Sequence, residues 1–259
     1  MSLFDAIEEI SKKEITKTET GDNRILGVVI GVVANNYNEQ MPGRICVNIP
    51  NRDKDANELK WARVAMPSSG SKWGHYFLPE VGDEVLVAFE QGNIERPFVI
   101  GCIPKSSDSF ISKSVSEKNE TKRIVTKNGN AFTFTDAAEG EGDNDKVKIE
   151  SAKGQFYLEM NNEKHELKLS DKDGKNSIKI NSEKNQMEIL ADEKLTIKVG
   201  SIELIMNGKS NATELTTGKF KVEASANALI NSTGELKMTG NNIKAESGGL
   251  MNLSSSGVL

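Results

Sequence analysis

The stretch Glu166-Leu-Lys-Leu-Ser-Asp-Lys-Asp-Gly-Lys-Asn-Ser-Ile-Lys-Ile180 alternates apolar and polar residues on either side of an Asp-Gly turn. Leu167, Leu169, Ile178 and Ile180 recur at period 2, which predicts two strands with one face buried and the other solvated. Asp173-Gly174 punctuates between them.

The same rule extends outward. Lys146-Val-Lys-Ile-Glu150 and Phe156-Tyr-Leu-Glu-Met160 precede the stretch. Gln186-Met-Glu-Ile189, Lys194-Leu-Thr-Ile-Lys-Val199, Ser201-Ile-Glu-Leu-Ile-Met206, Lys219-Phe-Lys-Val-Glu223 and Glu235-Leu-Lys-Met238 follow it. Turn dipeptides such as Asn207-Gly208, Thr217-Gly218 and Thr233-Gly234 recur roughly every 8 to 12 residues. This quasi-repeat predicts a solenoid or spiral of strands. Each strand offers two or three inward apolar side chains, so stacked neighbours, from this chain or others, are needed to bury them. All six prolines, both tryptophans and both cysteines lie between Met41 and Lys105. After Tyr157 the one aromatic residue is Phe220. Proline would remove a ladder hydrogen bond from an interior strand, and a core without large rings is narrow. A thin multi-chain β-prism satisfies all of this, whereas a single-chain sandwich explains the alternation but not the missing aromatics.

Residues 25–104 have a different composition. Ile25-Leu-Gly-Val-Val-Ile-Gly-Val-Val33, Arg44-Ile-Cys-Val-Asn-Ile49, Leu59-Lys-Trp-Ala-Arg-Val-Ala65, Glu84-Val-Leu-Val-Ala-Phe89 and Pro97-Phe-Val-Ile-Gly-Cys-Ile103 predict five strands, with Gly27 and Gly31 as bulge or bend sites. Five strands without a long helix are the pattern of a small barrel such as an OB-fold. The expected organisation is an N-terminal helix and linker over 1–24, the barrel over 25–104, a Ser/Lys/Glu-rich connector over 105–120 and the repetitive strands over 121–259. In the first segment Leu3, Ile7 and Ile10 recur at helical spacing with Phe4 beside them. Two readings stay open there, a frayed end and a segment that docks its apolar face on a partner.

The formal charge of −5 in 259 residues comes without an acidic or basic tail. No apolar run approaches the ~20 residues that span a bilayer. The N-terminus has neither a basic n-region nor a long apolar h-region, so no signal peptide is expected. Two cysteines exclude a disulfide framework and a four-thiolate zinc site. Catalytic motifs are missing too, with no P-loop and no Cys-x-x-Cys. The carboxylates fall on the solvent parity of the strands, as edge-protecting charges. His75 is expected to pack or cap a loop. His165 shares parity with Leu167 and Leu169, so three copies could meet on an axis and bind a metal; the other reading is a solvated residue near a turn. No catalytic residue and no cofactor is assigned.

The barrel motifs are specific. Gly43-Arg44 leading to Pro50, then Trp61-Ala62-Arg63, then Leu78-Pro79-Glu80-Val-Gly82-Asp83-Glu84 with Gly92, then Arg96-Pro97 with Gly101, resemble the OB-fold of phage baseplate assembly protein V and of type VI secretion VgrG spikes. Lys127-Asn-Gly-Asn-Ala-Phe-Thr-Phe-Thr-Asp136 is similar to the family segment that opens the β-helix. The resemblance implies an all-β protein: an OB-fold followed by an intertwined homotrimeric β-helix, the needle of a contractile tail driven through a target envelope on sheath contraction. It implies a protein made in the bacterial cytoplasm and resident in a baseplate, with no enzyme activity. It also implies a separate hub protein, for which Leu3, Phe4, Ile7 and Ile10 are the docking candidates. A PAAR-like tip protein would sit on Leu250, Met251, Leu253, Val258 and Leu259, although those residues also read as a last coil with a frayed end. Phage tail, phage-tail-like bacteriocin, type VI apparatus and related injection systems all stay open. The rival reading is an OB-fold protein that binds nucleic acid or glycan, with a fibrous β-tail. Trp61, Trp73, Tyr76 and Phe77 with Lys60, Arg63 and Lys72 would supply its stacking face. The net charge and the acidic neighbours Glu58, Glu80, Asp83 and Glu84 oppose that, so the aromatics are expected to fill the barrel and its contacts and no nucleic-acid partner is assigned.

Overall fold

A computed structural model of the protein describes residues 24–49 and 60–254, together with Phe4, Ile7, Glu8, Ser11 and Lys12 of an N-terminal helix. Strands β1 (Val28–Asn35), β2 (Arg44–Asn48), β3 (Lys60–Val64), β4 (Glu84–Phe89) and β5 (Pro97–Cys102) close into a barrel in the order β1-β2-β3-β5-β4. The β3–β5 pair is parallel and the others are antiparallel. This is the expected OB-like barrel. Alternation points Val33, Ile45, Val47, Ala62, Val85, Val87, Phe89 and Val99 into one buried cluster.

The bulge in β1 falls between Val33 and Asn35 rather than at a glycine. Gly31 stays in register opposite Val85 and is small for want of space. A Cβ there would lie 2.3 Å from Val47 Cγ1 and 3.2 Å from Val87 Cγ2.

The connector contains one helical turn, Ser109–Ser112. After it come β6 (Thr121–Val125), β7 (Ala131–Thr135), β8 (Lys146–Glu150), β9 (Phe156–Asn161), β10 (Glu166–Asp171), β11 (Ser177–Asn181) and β12 (Gln186–Leu190). They form one seven-stranded sheet in sequence order, every neighbour antiparallel. The chain divides after Leu190 into a second unit. It holds the three-stranded sheet β13 (Lys194–Val199), β14 (Ile202–Asn207) and β15 (Ala212–Thr216). Within one chain these strands run up and down, and no coil of a spiral closes among the described residues.

Turn chemistry sets the registers. Asn161, Asn181 and Asn207 each accept, on Oδ1, the backbone N–H three residues on, at 3.1, 2.8 and 3.1 Å. The following residues, His165, Asn185 and Asn211, take φ of 49°, 52° and 48°, a left-handed conformation that Asn and His tolerate better than β-branched residues. Adjacent turns are also bonded to each other. Asn162 Nδ2 donates to the Gly142 carbonyl at 2.8 Å, and the Ser182 amide donates to the His165 carbonyl at 2.9 Å.

His165 lies in the turn before β10 and is exposed, in agreement with its reading as a solvated residue near a turn. One expectation is corrected here. The strands expected at Lys219–Glu223 and Glu235–Met238 do not form, and no strand follows Thr216 among the described residues. Strands this short gain stability from a neighbour's ladder, and the described residues place none beside them.

Gly31→Ala is expected to destabilise the barrel by about 1–3 kcal/mol through overpacking. Gly101→Ala meets nothing within 4 Å and should change stability by less than about 0.5 kcal/mol. Urea denaturation of both variants checks the contrast.

Candidate functional site

The registers of the seven-stranded sheet bring its apolar residues into two continuous rows on one face. One row runs Phe134, Val147, Met160, Leu167, Ile180, Met187 across β7 to β12. The other runs Ile124, Phe132, Ile149, Leu158, Leu169, Ile178, Ile189 across β6 to β12. Directly opposed side chains of this kind are the unit of sheet stabilisation, and Phe132 and Phe134 add a ring contact at 4.4 Å. Nothing among the described residues covers the rows. Ile124, Ile149, Leu169 and Ile189 are 46–53% exposed. The smaller sheet repeats the pattern, with Leu195 opposite Met206 and Ile197, Leu204 and Leu215 in line. Monomeric soluble proteins rarely leave contiguous apolar patches above a few hundred Å² in water, so this face is the strongest candidate for an assembly surface.

The other face is charged and internally paired. Lys179 meets Glu188 at 2.8 Å, Lys146 meets Glu163 at 2.9 Å and Lys148 meets Glu150 at 2.7 Å. Tyr157 lies between the ammonium groups of Lys148 and Lys168, at 5.4 and 5.7 Å from its ring centre. Hydrogen bonds from Lys146 and Lys179 hold the Glu163 and Glu188 carboxyls below the ordinary glutamate value, and the same bonds raise both lysines. Lys146–Glu163 and Lys179–Glu188 are largely open to solvent and Lys148–Glu150 is half-buried, so the two open pairs contribute little alone.

The barrel motif residues turn out to be turn and junction builders. Gly43, Gly82 and Gly92 have φ of 76°, 95° and 77°. Gly92 also packs tightly, since a Cβ there would lie 2.9 Å from Arg24 Cβ. Asp83 Oδ2 accepts the Glu80 amide at 2.9 Å, and Gly82 N–H donates to the Val33 carbonyl, tying this turn to β1. Pro79 is buried and its carbonyl accepts Asn36 Nδ2, while Leu78 packs against the core. Ala62 and Pro97 are buried, and Arg63 lies over the Phe98 ring at 5.9 Å. Trp61 pairs with Cys46, Arg44 with Arg63, and Gly101 with Leu86 across the ladders. Arg96 approaches Glu90 at 3.6 Å. Glu80 reaches out of the barrel to Lys127 at 2.9 Å, and Glu84 to Lys105 at 3.3 Å. Pro50 lies outside the described residues.

Trp73, Tyr76 and Phe77 do not fill the barrel, contrary to expectation. They are exposed on the loop before Leu78, which carries a Ser69–Gly74 bridge and has Trp73 packed against Gly70. His75 caps that loop, with Ser68 Oγ 2.9 Å from Nδ1. Cys46 is buried, Cys102 is exposed, and burial pushes both thiols up. Phe4 and Ile7 are helical and exposed, while Leu3 and Ile10 lie outside the described residues. Leu250, Met251 and Leu253 are exposed, and Val258 and Leu259 lie outside the described residues. The described residues bring together no cluster of His, Cys, Asp and Glu able to hold a metal.

A closed five-stranded barrel is thus followed by antiparallel strands with an uncovered apolar face. Residues 29–103 match the type VI secretion system/phage-baseplate injector OB domain. The chain is VgrG-like. It is 25% identical to the type VI secretion system spike protein VgrG1a of Pseudomonas aeruginosa over 255 residues, covering 89% of this chain and 38% of that protein. VgrG5 of the same organism is 32% identical over 104 residues, or 40% of this chain and 12% of its own length. VgrG3 of Vibrio cholerae is 29% identical over 127 residues, or 46% of this chain and 12% of its own length. The chain thus spans 38% or less of each of these relatives.

The Lys–Glu pairs give the sheet a small acid dependence. Because the folded carboxyls titrate below the unfolded glutamate value of about 4.3, their contribution is present above that pH and is lost as pH falls through the folded value. Melting temperature should drop on that limb, less steeply in Glu188→Gln, and the difference between the two should shrink in 1 M salt, where the Debye length falls to about 3 Å. Thermal melts by circular dichroism read this out.

Proposed function

We propose that the chain is the central spike of a contractile injection machine and works as a homotrimer. The observation that carries this is the pair of uncovered apolar rows across seven strands. Three such sheets set face to face make a narrow prism whose aliphatic core needs no large rings. Each Leu or Ile taken out of water contributes about 1.5–3 kcal/mol. The paired Lys and Glu residues stay outside in solvent. Residues 217–254, which alternate but lack a strand neighbour, gain ladder partners from other copies and extend the prism as an intertwined β-helix. The product is a stiff needle that sheath contraction drives through a target envelope.

This role is mechanical, so the chain acts without catalysis or cofactor. It resides in an assembled baseplate. A hub protein takes Leu3, Phe4, Ile7 and Ile10, and a PAAR-like tip takes Leu250, Met251, Leu253, Val258 and Leu259. The spike names of the relatives and the injector OB match support the reading, which covers a phage tail, a bacteriocin or a type VI apparatus equally.

Leu169 is the residue to test. Leu169→Asp places a carboxylate in the middle of one row in every copy, at a cost above the ~2–5 kcal/mol of truncating a core leucine. Sedimentation should show a trimer for the unaltered protein, a trimer for the polar-face control Lys168→Ala, and dissociated chains for Leu169→Asp. A Leu169→Asp protein that sediments like the control contradicts the proposal.

A further inference from the structure

The connector and the polar face of β6–β9 border a cleft of about 240 Å³ that the spike reading leaves unused. Its lining is unevenly charged. Lys113 of the connector and Arg123, Lys146 and Lys148 of the sheet contribute four cations, against the carboxylates of Glu150 and Glu159. Lys148 is committed to Glu150 and Lys146 to Glu163. Glu159 accepts Asn161 Nδ2 at 3.4 Å and stands on β9, three strands from Arg123. Among the described residues, no carboxylate lies within ion-pair distance of Lys113 or Arg123.

Arg123 adds a second, independent observation. Its Nε is buried and has no hydrogen-bond partner. Native proteins satisfy nearly all such groups, so this Nε still has bonding capacity to offer a ligand. Thr133, directly opposite Arg123 in the ladder, and Thr135 place hydroxyls on the lining. A guanidinium fork, a nearby free ammonium and neighbouring hydroxyls suit a tetrahedral oxyanion.

We propose that this cleft binds a phosphate-class oxyanion, with Arg123 as its anchor and Lys113 closing over it. Free inorganic phosphate and a phosphomonoester headgroup share that chemistry. The site is formed within one chain, so it stands or falls independently of trimer formation.

The test uses the full chain. Inorganic phosphate is titrated by calorimetry against chloride at matched ionic strength. One saturable site per chain is expected, weakened roughly tenfold or more in Arg123→Gln, since charge-assisted bonds are the stronger class. Thr133→Val should weaken it less, and it decides the matter if Arg123→Gln does not fold. Flotation with phosphatidic acid vesicles, against phosphatidylcholine vesicles alone, separates the sources. Capture that phosphate competes away identifies a headgroup ligand, and phosphate binding without capture identifies the free ion. Heat no greater than the chloride control, or equal binding by the unaltered protein and the folded variants, overturns the proposal.

Discussion

Everything beyond the barrel depends on register. Seven consecutive antiparallel strands are aligned so that every second residue joins one of two apolar rows. A slip of one residue in any strand would send its Leu, Ile or Met to the charged face and its Lys or Glu to the apolar one. The side chains alone fix parity but allow slips of two. The turns remove that freedom. The asparagine caps at 161 and 181 close their loops at one length, and the bonds from Asn162 to Gly142 and from Ser182 to His165 clamp each loop to the next. Charge pairing such as Lys179–Glu188 follows from this alignment rather than producing it.

The barrel solves a different problem. It must turn a short chain through closed curvature and hand it on to an open sheet. Gly31 allows β1 to pass close to Val47 and Val87, and the Pro79–Asp83 turn is bonded both to itself and to β1. Glu80 then links that same turn to Lys127 between β6 and β7. The residues by which the barrel is recognised are therefore the ones that bend it and join it to the sheet, and this accounts for a family match over the barrel in a chain whose remaining strands are built from interchangeable Leu, Ile, Lys and Glu.

Much of this was legible in the residues. The five barrel strands and the strands from Lys146 to Met206 follow from period-2 alternation, because each carries at least two apolar residues on one parity. The strand at Ala212–Thr216 escaped, since Leu215 is its one large apolar residue. The segments at 219–223 and 235–238 carry the signal without the structure, because alternation reports a face to bury and not the neighbour that buries it. His165 kept two readings open in the sequence, because parity does not carry one residue beyond the strand into a turn that a left-handed residue closes. The exposed ring of Trp73 and the unpaired Nε of Arg123 had no sequence signature at all, as both depend on how a loop or connector folds back.

The central claim is that one chain is an incomplete core and three copies complete it. Native mass spectrometry of the unaltered protein tests this most directly. The account predicts a species of three times 28.3 kDa that persists on dilution. A stable particle of 28.3 kDa under the same conditions would contradict it.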